Sequence, residues 1–125
     1  STPIKSSAAS DVYKRQPLAD NARKHACQML VDAVSDKAKD NTPAFCTGDF
    51  NATPDAPEIA TTICQSGILK DAYREAAVQH GALFTFPSKK TRIDFIFVKH
   101  ATVLSTRTIV SSLSDHYPMV IVVEI

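Results

Sequence analysis

Residues 92 to 98, with the sequence RIDFIFV, alternate between two sets of side chains and place the tightest limit on the fold. A period of two is typical of a β-strand whose two faces meet different surroundings. Asp94 lies in the middle of this apolar stretch, and a carboxylate is costly to bury unless it is paired or hydrogen-bonded. The strand therefore requires a partner for Asp94, and His116 is the candidate.

The remaining sequence predicts helices first and strands later. Helical spacing of apolar residues predicts an amphipathic helix from Leu18 to Asp40. Two shorter helices are predicted, from Asp55 to Ser66 with Asp55 as a possible cap, and from Asp71 to His80. The predicted apolar face of the first helix consists of Ala22, Ala26, Met29, Leu30, Ala33 and Val34. Further strands are predicted at Ala44 to Thr47, Val103 to Val110 and Met119 to Ile125. This order indicates an α+β fold with a largely antiparallel sheet.

Composition excludes several classes of protein. With 44% hydrophobic and 22% charged residues, the 125-residue chain resembles an ordinary globular domain. The longest apolar run, Met119 to Val123, is far shorter than the roughly 20 residues of a transmembrane helix. Cys27, Cys46 and Cys64 lack the spacing of a zinc site or a disulfide framework, and we interpret them as buried apolar residues. A formal charge of +1 gives no broad surface for nucleic acid.

The first sixteen residues differ in composition from the rest and show no helical or strand periodicity. Ser6 to Gln16, SSAASDVYKRQ, resembles the literal translation of a widely used transposase sequencing adapter. We therefore interpret residues 1 to 16 as an adapter-derived artefact, outside the fold. Residues 17 to 125 are the part to which the fold prediction applies.

Three short segments carry most of the polar residues that stand in apolar surroundings. They are TGDFN at residues 47 to 51, RIDFIFV at residues 92 to 98 and SDHYP at residues 114 to 118. Each places a carboxylate in a strand or at its end. Asp and Asn side chains supply the oxygen ligands that a hard ion such as Mg²⁺ prefers. A histidine hydrogen-bonded to a carboxylate has a fixed tautomer, which suits general acid–base chemistry or contact with a phosphate.

These three segments, in this order, closely resemble the C-terminal signature of the endonuclease/exonuclease/phosphatase superfamily of DNase I-like phosphohydrolases. The resemblance covers residues 17 to 125. It implies that the chain is the C-terminal half of one domain, hence half of a four-layer α/β/β/α sandwich whose mostly antiparallel sheets are covered by helices. Each half is expected to contribute one sheet. The N-terminal half of the same domain is then a missing partner, so we expect residues 17 to 125 alone to be inactive and prone to aggregate.

The resemblance also implies roles for individual residues. Asp49 would orient or deprotonate the attacking water and could also bind the metal, Mg²⁺ or Mn²⁺. Asn51 would donate a hydrogen bond to a phosphoryl oxygen. Asp115 would hold the metal, and His116, oriented by Asp94, would contact the phosphate. The substrate would be a phosphoester, such as nucleic acid, a phospholipid head group or a sugar phosphate.

Alternatives remain open at this stage. Asp49 and Asn51 could form an Asx turn for purely local reasons. Arg92 could contact a substrate phosphate, or it could be a solvated residue at a strand end. His25, His80 and His100 fall outside the motifs and are predicted to lie on the surface. The whole domain could also be a catalytically dead scaffold or binding domain with the same fold.

Overall fold

The computed structural model of the chain describes residues 16–37 and 41–125, and shows helical segments with two three-stranded sheets. Of the predicted artefact at residues 1 to 16, only Gln16 is described, and it is the first residue of a helix; residues 1 to 15, and the predicted end of the first helix at residues 38 to 40, lie outside the described residues. The helices are α1 (Gln16–Lys37), a π-helical turn (Glu58–Ile63) continued by a 3-10 turn (Cys64–Ser66), and α2 (Ala72–Glu75). The strands are β1 (Ala44–Asp49), β2 (Lys70–Asp71), β3 (Val78–Gly81), β4 (Asp94–Lys99), β5 (Thr102–Thr108) and β6 (Met119–Glu124).

Helix α1 packs on the first sheet through a stripe that differs from the predicted face. Cys27, Val31 and Val34 are buried at helical spacing, whereas Met29 is 58% exposed. The stripe is rotated because Arg23 points inward, where its Nε donates to Glu58 Oε2 at 2.8 Å. Within the described ranges, neither α1 nor any other helix has the length and apolar character needed to cross a membrane.

Strand β4 is the centre of the first sheet, with the antiparallel order β1-β4-β2, and both of its faces are covered. Phe95 and Phe97 face α1 and the π-helical turn, in a core that also holds Cys46 and Phe50. Val98, on the opposite face, packs in a second cluster with residues of β5 and β6. The predicted two-faced strand is therefore present, and it lies between a helical layer and a second sheet.

The second sheet has the order β3-β5-β6, with β3 parallel to β5 and β5 antiparallel to β6. Its inner face contributes Val103, Ile121 and Val123 to the cluster around Val98. The mixed α+β class is thus confirmed. The expectation that the chain contributes a single sheet is wrong, because the strands after β4 turn away and pack against the first sheet instead of extending it.

Two predicted helices are shorter or different in the structure. The Asp55 to Ser66 segment is helical only from Glu58, with Pro57 at its N-cap, because the Asp55 carboxylate accepts a hydrogen bond from the Thr53 hydroxyl instead. The Asp71 to His80 segment is helical only at Ala72–Glu75, and β3 then begins at Val78. Asp71 caps this helix by accepting from the Tyr73 N–H. The chain leaves the helix because Ala76 is extended.

The outer face of the second sheet exposes apolar side chains. Val120 and Val122 of β6 are 48% and 52% exposed, and Leu104 of β5 is also exposed. In the part of the chain that the structure describes, the far edge of β6 has no strand partner. An apolar face beside an open strand edge favours self-association.

We predict that residues 17 to 125 alone aggregate through this face. Replacing Val120→Thr and Val122→Thr together keeps the β-propensity of the strand while removing apolar surface, so the variant is expected to remain monomeric at concentrations where the unmodified chain sediments as larger species. Sedimentation velocity is the measurement. An unmodified chain that is monomeric and melts cooperatively would contradict this expectation.

Candidate active site

Asp49 and Asp94 lie directly opposite each other at the ends of β1 and β4. Because paired residues in an antiparallel sheet point to the same face, both carboxylates lie on the face of the first sheet that is turned towards the second sheet. Like charges in this cross-strand position are destabilising unless a positive group or a proton intervenes. The backbone register thus creates a demand for a cation or a hydrogen-bond donor at this point.

His116 meets that demand from the loop before β6. Its Nδ1 lies 2.7 Å from Asp94 Oδ2, and its Nε2 lies 3.7 Å from Asp49 Oδ2. An ionised carboxylate can only accept a hydrogen bond, so Nδ1 is the donor to Asp94 and the tautomer is fixed. The predicted contact between Asp94 and His116 is present, and it brings the second and third sequence motifs together.

The surroundings shift the acidity of two of these groups. Burial alone would lower the pKa of His116, but the hydrogen bond to Asp94 and the charges of Asp94, Asp49 and Asp115 outweigh it and raise the pKa above its ordinary value of 6.5. The pKa of Asp49 is raised above 3.8, mainly by burial and also by the charge of Asp94, although the Asn51 N–H opposes this. Both groups therefore hold a proton more readily than in water.

The turn after β1 presents Asn51 beside this pair of carboxylates. The Asn51 N–H donates to Asp49 Oδ1 at 2.9 Å, and Asn51 has a φ of 50°, a left-handed conformation that asparagine tolerates well. Phe50 anchors the turn, because its ring is buried against Phe95 and Phe97 and its N–H donates to the Ile93 carbonyl at 2.8 Å. The Asx turn considered from the sequence is therefore real. It also fixes Asp49 and places Asn51 at a cavity.

Two open cavities meet at His116. The first, of about 650 Å³, is lined on its polar side by Asn51, His116, Lys24 and Lys89. The second, of about 610 Å³, has Asp49 and Asp94 in its wall. A molecule in either cavity can contact the imidazole of His116. The lysines give the first cavity positive charge, which suits an anionic group.

Among the described residues, one group could hold a metal ion, and it consists of Asp49, Asp94 and His116. The ligand atoms of the three side chains lie within 4.8 Å of one another. Asp115, which we predicted as a metal ligand, is exposed, and its carboxylate accepts a hydrogen bond from the Ser114 hydroxyl at 3.3 Å. Its role at a metal stays a prediction.

Arg92 contradicts one of the two alternatives that the sequence left open for it. Its side chain is buried, and the guanidinium donates to both carboxylate oxygens of Asp71, at 3.2 and 2.7 Å. It also lies between the rings of Tyr73, at 4.4 Å, and Phe95, at 4.7 Å. Arg92 is therefore not a solvated strand-end residue, because its charge is used in a buried ion pair. It lines neither cavity at His116, and its contact with a substrate phosphate stays a prediction. His25, His80 and His100 are exposed as predicted.

The loop before β4 contributes residues that the sequence interpretation did not single out. The Phe86 ring lies 4.9 Å from the His116 ring, and the side chain of Thr85 is fully buried beside the start of β4. A signal was available, because Phe84, Thr85 and Phe86 form a short apolar–polar–apolar alternation. It is too short to distinguish a loop from a strand.

Comparison with known proteins gives one family. A family model described as Endonuclease/Exonuclease/phosphatase family matches residues 5–116. A solved endonuclease/exonuclease/phosphatase from Bacteroides vulgatus is 30% identical, with a TM-score of 0.75, over 84% of this chain and 44% of that one. A mannosyl-6-phosphatase from Bacteroides thetaiotaomicron VPI-5482 is 22% identical, with a TM-score of 0.74, over 84% of this chain and 46% of that one. The chain thus spans less than half the length of these structures. Curated protein sequences give no match.

We expect Asp94→Asn to lower the pKa of His116 towards 6.5, because the variant removes the carboxylate that accepts from Nδ1. The raised pKa of His116 also makes the stability of the folded protein depend on pH. Since the folded-state pKa is raised, the stabilisation from His116 protonation is complete below about pH 6.5 and is lost as the pH rises through the folded-state value. Proton NMR titration of His116, in the Val120→Thr, Val122→Thr background, is the measurement. An unchanged pKa in the asparagine variant would contradict the assignment.

Arg92→Met is expected to lower the free energy of unfolding by about 3 to 5 kcal/mol, because it leaves the buried Asp71 carboxylate without its cation. Adding Asp71→Asn should recover part of this loss, since a neutral amide still caps α2. Urea unfolding followed by circular dichroism measures both. A loss below about 1 kcal/mol, the size found for exposed pairs, would show that the pair is not buried in solution.

Proposed function

Because this chain belongs to the endonuclease/exonuclease/phosphatase family, we propose that it forms part of a divalent-metal-dependent hydrolase of phosphoester bonds. The observation that carries the proposal is the position of His116 between Asp49 and Asp94, at the meeting point of two cavities. This arrangement supplies a base, a positive donor and open space for a substrate within one hydrogen-bonded group. The reaction is attack of water on phosphorus, with departure of the alcohol.

Asp49 is the base in this proposal. One of its oxygens is occupied by the Asn51 N–H, while the other faces His116 Nε2 at 3.7 Å and leaves room for a water molecule to approach. Burial raises the pKa of Asp49, which makes its carboxylate a stronger proton acceptor than an exposed aspartate. General bases tuned in this way contribute about 100- to 10,000-fold to rate.

His116 and Asn51 stabilise the negative charge that develops on the phosphoryl oxygens. The hydrogen bond to Asp94 holds Nδ1, so that Nε2 is the nitrogen left to face the substrate. The raised pKa of His116 makes the charged imidazolium more populated at a given pH than in an ordinary histidine, and a charged donor binds an oxyanion more strongly than a neutral one. Asn51 lines the same cavity as His116 and can donate its side-chain amide N–H to a phosphoryl oxygen there.

The donor set fits a hard divalent cation. The carboxylates of Asp49 and Asp94 offer ligand oxygens within 4.8 Å of each other, and Mg²⁺ is commonly bound by one or two carboxylates with water and phosphate oxygens completing its shell. In this proposal His116 does not bind the metal, because an imidazolium has no free lone pair. Asp115, on the loop beside His116, could add a third carboxylate. When bound, Mg²⁺ or Mn²⁺ would neutralise charge on the phosphoryl and leaving oxygens.

The proposed substrate is a phosphoester, and the proposal includes several classes of phosphoester. Lys24 and Lys89 line the cavity beside Asn51 and His116, which supports a substrate with negative charge beyond the reacting phosphoryl group. A sugar phosphate, a phospholipid head group and a nucleic acid each provide a phosphoester. The chain spans 44% of the Bacteroides vulgatus structure. We therefore propose the activity for a protein that contains this chain and is as long as its relatives, which we call the full-length protein.

We predict that Asp49→Asn lowers kcat of the full-length protein by about 100-fold or more while KM changes little, because the amide keeps the shape of the carboxylate but cannot accept the proton. The assay uses a sugar phosphate, a phosphodiester of a phospholipid head group and an oligonucleotide, each with Mg²⁺ or Mn²⁺. Chelation by EDTA should abolish hydrolysis, and addition of the metal should restore it.

Asp32→Asn is the matched control. Asp32 is an exposed residue of α1, and among the described residues its side chain accepts a hydrogen bond only from Gln28. It should retain unmodified activity. Absence of hydrolysis of all three substrates with both metals would reject the enzyme and favour a scaffold with the same fold. Activity that survives Asp49→Asn would reject the role given to Asp49.

A further inference from the structure

The hydroxyl of Thr85 accepts two backbone hydrogen bonds at the start of β4. The N–H groups of Ile93 and Asp94 point to its Oγ1 at 3.1 and 3.2 Å, and Thr85 is 0% exposed. Asp94 is the first residue of β4, so these bonds fix the backbone from which its carboxylate projects. Without an acceptor here, two backbone N–H groups near the core would lose their partner.

The backbone of the same residue holds the loop that carries His116. The Thr85 carbonyl accepts from the Tyr117 N–H at 2.7 Å, and the Thr85 N–H donates to the Thr91 carbonyl at 3.1 Å. Tyr117 directly follows His116, so this bond fixes the peptide next to the imidazole. One buried residue is thereby bonded to the backbone of Asp94 and to the residue beside His116.

Aromatic rings on either side of Thr85 complete the contact. The Phe84 ring stacks on Tyr117, with centroids 5.9 Å apart, and the Phe86 ring lies against His116 at 4.9 Å. The segment Phe84–Phe86 therefore runs beside the His116–Tyr117 dipeptide, with one backbone hydrogen bond between two ring contacts. Such paired rings stabilise a fixed separation between two loops.

We infer that Thr85, at the centre of this segment, is a positioning residue that sets the Asp94–His116 hydrogen bond. The inference rests on the proposed function for its catalytic consequence, but not for its geometry. Thr85 does not line either cavity at His116, so it acts on the reaction only through Asp94 and His116. Groups that orient the ligands of a metal site typically change metal affinity or activity by about 10- to 100-fold when removed, and Asp94 is such a ligand in the proposed function.

Threonine offers a sharp test because valine has nearly its shape and lacks the acceptor. Thr106 supplies a matched control on β5. It is 1% exposed, and its hydroxyl has no hydrogen-bond partner among the described residues. Thr85→Val and Thr106→Val therefore make the same chemical change at equal burial, and only the first removes hydrogen bonds. Thr85→Ser keeps the acceptor and serves as the rescue.

The experiment compares these three variants in the full-length protein. We expect Thr85→Val to lower kcat by about 10- to 100-fold, with KM within about twofold, while Thr85→Ser and Thr106→Val stay within about threefold of the unmodified protein. The low-field proton NMR resonance of the His116 Nδ1–H should shift or broaden in Thr85→Val and stay unchanged in Thr85→Ser and Thr106→Val. Thr85→Ala, which also lacks the hydroxyl, should perturb the same resonance.

An unchanged Nδ1–H resonance and kcat in Thr85→Val would overturn the inference. A Thr85→Ser variant as impaired as Thr85→Val would overturn it as well. If Thr85→Val does not fold, Thr85→Ala, which also lacks the acceptor, decides, and an unperturbed resonance there overturns the inference as well. If the unmodified protein hydrolyses nothing, the proposed function fails, but a resonance that changes in Thr85→Val and not in Thr106→Val still supports the positioning role.

Discussion

The structure depends on a pair of carboxylates that the strand register forces together. Asp49 and Asp94 end neighbouring strands at the same cross-strand position, and their repulsion is relieved by an imidazole that contacts both. Removing the imidazole would leave two partly buried negative charges side by side. Neighbouring contacts hold this triad of Asp49, Asp94 and His116 in place. Phe50 anchors the turn after Asp49, and Thr85 is hydrogen-bonded to the backbone of Asp94 and to that of Tyr117, next to His116.

The double burial of β4 explains why the site is chemically unusual. Its two faces contact α1 on one side and the second sheet on the other, so that Phe95, Phe97 and Val98 are buried. Asp49 and Asp94 are only partly buried and line a cavity, so they are sheltered by the fold and still open to a ligand.

The sequence predicted the parts of the fold that are specified locally. The alternation in residues 92 to 98 predicted β4, and the cost of burying Asp94 predicted its contact with His116. It could not predict β3, because Val78–Gly81 is a strand only through its parallel pairing with β5, more than twenty residues later. Arg92 was misread for a related reason, since its partner Asp71 is distant in the chain and only the fold brings the two together. Thr85 escaped notice because a threonine that accepts backbone hydrogen bonds has no sequence pattern of its own.

The contact between His116 and the two aspartates depends on the distance between the two sheets. The two aspartates belong to the first sheet, whereas His116 is attached to β6 of the second, so the triad spans the gap between the layers. The apolar side chains that fill this gap, such as Val98 and Val103, thereby act as a spacer whose thickness sets the distance from imidazole to carboxylate. A conservative exchange of one aliphatic residue for another at this interface can therefore change the distance from His116 to the two carboxylates while the protein remains folded. The geometry of the candidate site then depends on side chains that line neither cavity at His116.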